Sequence, residues 1–147
     1  MKTKILVGLF VIIIAAACGK DNYNTTPTIT LESTSSKVVP SGGILRVELK
    51  VTDKEGDISD TIYVKKTRKN QRVTATIRDS FPFRIPEGPE TRNGFVTVDL
   101  RYTDHLTSAI SPGNPKQNDT LSIQFVVRDK AKNRSEPVIV DNVVIIR

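Results

Sequence analysis

Asp53, Glu55 and Asp57 stand at alternate positions in one loop that also contains Gly56. Carboxylates at that spacing can converge on Ca²⁺, a hard cation that takes about six to eight oxygen ligands. Asp104, Asp129 or Asp141 would add ligands if the fold brings them to the same end of the molecule. The alternative is an acidic, solvated turn in which Gly56 serves the backbone. Lys54 sits inside the loop, and the full Asp-x-Asp-x-Asp pattern is not there.

The second concentration of chemistry is cationic. Lys65, Lys66, Arg68, Lys69 and Arg72 fall within eight residues. On an exposed hairpin they would form a patch for an acidic protein, an acidic glycan or anionic lipid headgroups. Equally, lysines on an edge strand keep it from pairing with other chains. Nucleic acid is not expected as a partner, because no aromatic stacking pattern accompanies the charge.

The only histidine, His105, has Asp104 before it and Ser108 after it. A catalytic triad needs a packed shell and an oxyanion hole, and the surrounding residues read as the start of a long surface loop with no glycine-rich nucleophile turn. A solvated loop histidine is the expectation. One histidine and one cysteine are too few for a zinc site. Of the three tyrosines, Tyr63 is out of phase with Ile62 and Val64, so it is expected on the outer face near Lys65. With no tryptophan in the chain, it is a thin platform for stacking a sugar. No constellation supports a reaction, and the protein reads as a non-enzyme.

The elements that must position these residues are strands. Leu45, Val47, Leu49 and Val51 alternate with polar residues across 44–52. Leu121, Ile123, Phe125 and Val127 do the same across 120–129, with Val126 an apolar exception, and Val96, Val98, Leu100 and Tyr102 across 95–103. Strict alternation marks a strand with one buried face. Weaker strands are expected at 28–33, 61–66, 73–77 or 81–85, and 138–146. Turn-forming clusters such as Pro40-Ser41-Gly42-Gly43 and Asn93-Gly94 separate them. About seven short strands without an amphipathic helix predict an all-β protein, a single β-sandwich.

The N-terminus has another character. Lys2 and Lys4 precede an uncharged run over 5–17 that is too short to span a bilayer as a helix. Ala15-Ala16-Ala17 then lead into Cys18, the only cysteine. This resembles the lipobox of bacterial lipoproteins, with Ala15 where leucine is usual. The resemblance implies cleavage before Cys18 and acylation of its thiol, with palmitate among the acyl chains. A signal peptide over 1–17, a tether over 18–27 and a folded domain over 28–147 follow. Losing Lys2 and Lys4 takes the 22 cationic side chains to 20, against 16 acidic.

Three segments resemble bacterial immunoglobulin-like domains of surface proteins. Val51-Thr52-Asp53-Lys54-Glu55-Gly56-Asp57 is similar to the turn closing their second strand. Val127 to Ser135 is similar to their Asp-x-Ala-Gly-Asn-x-Ser turn, with Lys132 in place of glycine. Phe81-Pro82-Phe83-Arg84-Ile85-Pro86, with Gly94-Phe95-Val96-Thr97-Val98 after it, is similar to a middle segment of small Bacteroidota surface lipoproteins. The resemblance implies an immunoglobulin-like sandwich, lipid-anchored in the outer membrane and facing outward, with a periplasm-facing protein as the alternative. Its expected role is a non-catalytic interaction or accessory module with a protein partner on the envelope. The other reading is a direct binder of calcium or an acidic glycan. No cofactor is expected beyond calcium.

Overall fold

The computed structural model describes residues 25–58, 60–70, 78–87, 92–107 and 117–146. Cys18, the segment before it and the Val73–Ile77 strand alternative lie outside the described residues. Among the described residues, eight strands follow in order: β1 (Thr28–Thr34), β2 (Val38–Val39), β3 (Ile44–Thr52), β4 (Thr61–Arg68), β5 (Arg78–Arg84), β6 (Asn93–Arg101), β7 (Asp119–Arg128) and β8 (Val138–Ile145). They form a three-stranded sheet, β1-β3-β6, and a five-stranded sheet, β2-β8-β7-β4-β5. All pairings are antiparallel except that of β2 with β8. The protein is an all-β, two-sheet sandwich.

Its core is what the alternating strands predicted. Leu45, Val47, Leu49 and Val51 from β3 meet Leu121, Ile123, Phe125 and Val127 from β7, and all eight are fully buried. Val98 and Leu100 of β6 lie opposite Val47 and Leu45 and share this core. Each fully buried aliphatic or aromatic side chain contributes about 1.5–3 kcal/mol relative to an exposed one.

Two strands end or bend differently from the simple pattern. β6 stops at Arg101, and Tyr102–Leu106 turns as a single π-helical turn. Tyr102 N–H donates to Gly43 O at 2.9 Å, its side chain packs against the core, and Leu106 is fully buried. In β8 the buried positions are Val140, Val143 and Ile145, so the alternation slips. A bulge accounts for it: Leu121 pairs with Val143 but Ile123 with Val140. Asn142 absorbs the extra residue with φ +59°, which asparagine tolerates better than most side chains.

Candidate functional site

β3 and β7 finish at the same end of the sandwich, and the loops beyond them bring three carboxylates together. Asp53, Asp57 and Asp129 each offer an oxygen within 4.8 Å of the others. Asp53 and Asp129 are buried, and Asp57 is half-buried. Of the residues named from sequence, Asp53 and Asp57 come together, and of the three conditional additions Asp129 joins them from a loop far along the chain. Glu55 is exposed and outside the group. Asp104 lies by Arg101 at 3.7 Å, and Asp141 pairs with Lys69 at 3.2 Å. The carboxylates that the fold groups are therefore Asp53, Asp57 and Asp129, with Glu55 outside the group. Gly56 bends the loop with a left-handed φ of +83°, and Glu55 beside it is exposed.

Backbone donors fix each carboxylate. Asp53 Oδ2 accepts from Gly56 N at 2.9 Å and Asp57 N at 3.2 Å. Asp57 Oδ2 accepts from Ala131 N at 3.1 Å, tying one loop to the other. Asp129 Oδ1 accepts from Asn133 N at 2.8 Å and its Oδ2 from Asn133 Nδ2 at 3.0 Å. Among the described residues, Asp53 Oδ1 and Asp57 Oδ1 are buried without a hydrogen-bond partner. Burial pushes the Asp57 carboxyl up, and the neighbouring Asp53 carboxyl and the Asp129 charge add to the shift, against the Ala131 N–H. Among the described residues, none of the three pairs with a lysine or arginine.

One turn away the charges are balanced. Asp60 Oδ2 accepts from Arg128 Nε at 2.7 Å and Lys132 Nζ at 3.1 Å. The Arg128 hydrogen bond leads in holding the Asp60 carboxyl down to about 2. Lys132 adopts the left-handed conformation (φ +76°).

The expected cationic patch is divided. Lys66 is fully buried and Arg68 is 5% exposed. Lys66 Nζ lies 3.2 Å from Asp79 Oδ2, and Arg68 Nε lies 2.8 Å from Asp119 Oδ1. These two side chains follow Ile62 and Val64 on the inward face of β4, so neither belongs to an exposed partner-binding patch. Burial lowers the Lys66 pKa, against the opposing Asp79 hydrogen bond. Lys65 and Lys69 are exposed. Arg72 lies outside the described residues.

On the outward face of β4, Tyr63 lies beneath two guanidiniums. The Cζ atoms of Arg128 and Arg134 are each 5.3 Å from its ring centre. Tyr63, Lys65, Ser80, Gln124, Val126 and Arg134 line a shallow groove of about 290 Å³. Val126, the apolar exception in β7, is part of this face. The sequence parity that predicted Tyr63 outward holds, but the long-range arrival of Arg134 was not legible.

His105 is not in a solvated loop. It is half-buried in the π-helical turn, with its ring centre 5.3 Å from those of both Phe81 and Phe83. Its Nδ1 accepts from Arg101 N at 3.0 Å, so that nitrogen is occupied by backbone. Ser108 lies outside the described residues.

No family model matches the sequence, and no curated protein does. Among solved structures, β-glucosidase from Listeria innocua in complex with gluconolactone is similar over 84% of this chain, at 13% identity and TM-score 0.47. The match covers 16% of that chain. β-Glucosidase from Kluyveromyces marxianus in complex with glucose is similar over 81% of this chain and 14% of its own, at 13% identity and TM-score 0.44. Spo0M, the sporulation control protein from Bacillus subtilis, is similar over 83% of this chain and 50% of its own, at 12% identity and TM-score 0.42.

Proposed function

We propose that this protein is a non-catalytic interaction module, anchored to the bacterial outer membrane by acylated Cys18 and facing outward, that presents an immunoglobulin-like sandwich to a protein partner in the envelope. The observation that carries the reading is Tyr63 stacked under Arg128 and Arg134 on the outer face of the five-stranded sheet. Tyrosine and arginine supply much of the binding energy at protein interfaces, because each offers a large, rigid contact surface with a polar end. The groove beside them is open and shallow, which suits a partner's surface better than an enclosed small molecule. Lys65 and Arg134 favour an acidic segment on that partner. The strand order β1-β3-β6 over β2-β8-β7-β4-β5 supports the immunoglobulin-like assignment, and the Ala15-Ala16-Ala17-Cys18 run supports the anchor.

Two measurements on the full chain in cells test it. Labelled palmitate should enter the wild type and not Cys18→Ala. Crosslinking on intact cells should give a discrete protein adduct that Tyr63→Ala with Arg134→Ala removes while anchoring persists. Absence of label in the wild type refutes the anchor, and an adduct unchanged in the double variant refutes the binding face.

A further inference from the structure

We propose that Asp53, Asp57 and Asp129 together bind one calcium ion at the end of the sandwich where the β3–β4 and β7–β8 loops meet. Three carboxyl groups converge in one small region, with an oxygen of each within 4.8 Å of the others. Among the described residues, no lysine or arginine forms an ion pair with any of the three. Lys132 and Arg128 are committed to Asp60, and Arg134 lies over Tyr63. Uncompensated buried carboxylates repel one another and lose their hydration.

The second observation points directly to a ligand. Asp53 is 1% exposed, and among the described residues its Oδ1 has no hydrogen-bond donor; Asp57 Oδ1 is buried in the same state. Buried oxygens are almost always satisfied by a donor, an ordered water or a metal. The partner oxygens, Asp53 Oδ2 and Asp57 Oδ2, are held by backbone N–H groups of Gly56, Asp57 and Ala131. The unsatisfied oxygens are thus fixed in direction before any ion arrives, which reduces the ordering cost of binding.

The donor set selects the ion class. It is all oxygen, with no imidazole or thiolate in the group, so zinc and copper are disfavoured. Magnesium demands near-ideal octahedral geometry and sheds its water reluctantly, whereas calcium accepts irregular carboxylate sets completed by water. The ligands come from two loops far apart in sequence. Calcium would therefore fasten the end of β3 to the end of β7 and stiffen that end of the domain. Affinity of the order seen in extracellular modules, a Kd of about 10⁻⁴–10⁻³ M, is expected.

Calorimetric titration of the full-length chain with CaCl₂ at neutral pH tests this, alongside thermal melts in calcium, in magnesium and in EDTA. One equivalent should bind, and calcium at about ten times Kd should raise Tm by about 4–8 °C over EDTA, with magnesium giving less. Asp57→Asn or Asp129→Asn should weaken binding at least about tenfold, whereas Glu55→Gln should leave it unchanged. If either Asn variant fails to fold, the wild-type titration and the Glu55→Gln control decide. Coincident wild-type melts in calcium and EDTA with no heat of binding overturn the site. Equal magnesium and calcium responses overturn the ion assignment, and loss of binding in Glu55→Gln overturns the ligand set.

Discussion

Lys66 Nζ lies 3.2 Å from Asp79 Oδ2 across the β4–β5 pair, with the lysine side chain fully buried and the aspartate 31% exposed. The ammonium also sits 5.1 Å from the centre of the Phe81 ring. This cation is enclosed by the fold and matched by an anion at its rim. Asp79→Ala, which leaves the buried ammonium without that carboxylate, should destabilise by about 3–5 kcal/mol. Lys66→Met fills the same space without charge and should stay within about 1 kcal/mol of the wild type. Lys69→Glu, on the surface beside Asp141, should cost about 1 kcal/mol or less. Urea denaturation of the three variants checks the ranking. An Asp79→Ala variant as stable as Lys69→Glu would show that the pair contributes nothing.

Leu49 and Phe125 are both fully buried, one in each sheet. Leu49→Ala should cost about 2–5 kcal/mol and Phe125→Ala about 3–5 kcal/mol, because each removes apolar contacts and leaves a cavity. Chemical denaturation measures both. Their outward neighbours on the same strands, such as Lys50, should tolerate alanine within about 0.5 kcal/mol.

Asp60 should make acid stability steep. Its folded pKa of about 2 lies below the ordinary value of 3.8. A depressed carboxyl contributes stability above its unfolded pKa and loses that contribution as pH falls through the folded one. The window is therefore from 3.8 down to about 2. With partial solvent screening the amount lost is about 1–2 kcal/mol. Unfolding free energies of Asp60→Asn should show that much less decline across the window than the wild type, in parallel denaturant titrations.

Lys132 occupies the left-handed region at φ +76°, which costs a side-chain-bearing residue about 1–2 kcal/mol relative to glycine. Lys132→Gly and Lys132→Ala both delete the exposed contact with Asp60, so their difference isolates the backbone. The glycine variant should be the more stable by about 1 kcal/mol, after its larger unfolded-state entropy is offset. Thermal melts of the two suffice. Equal stabilities would mean the turn relaxes around alanine.

The alternation in β3 and β7 determined from sequence which side chains form the core, because a strand turns successive residues to opposite faces whatever it pairs with. In β4 the same parity, with Ile62 and Val64 inward, placed Tyr63 outward. Carried two steps further along β4, the same parity points Lys66 and Arg68 inward with Ile62 and Val64. Their charge argued for the surface, and only the sheet register, which sets Asp79 opposite Lys66 and brings Asp119 within reach of Arg68, resolved the conflict. The slip in β8 was illegible, since a bulge arises from pairing with β7 rather than from the strand's own residues. Asp53 and Asp57 announced themselves by spacing within one loop. Asp129 stood only as one of three conditional additions beside Asp104 and Asp141, because its place next to them depends on two strands distant in sequence ending at the same point in space. Glu55 shares their chemistry and their loop, yet it is exposed and outside the group. Local pattern decided the faces of strands; the tertiary structure decided which charges meet, because meeting depends on register and loop path.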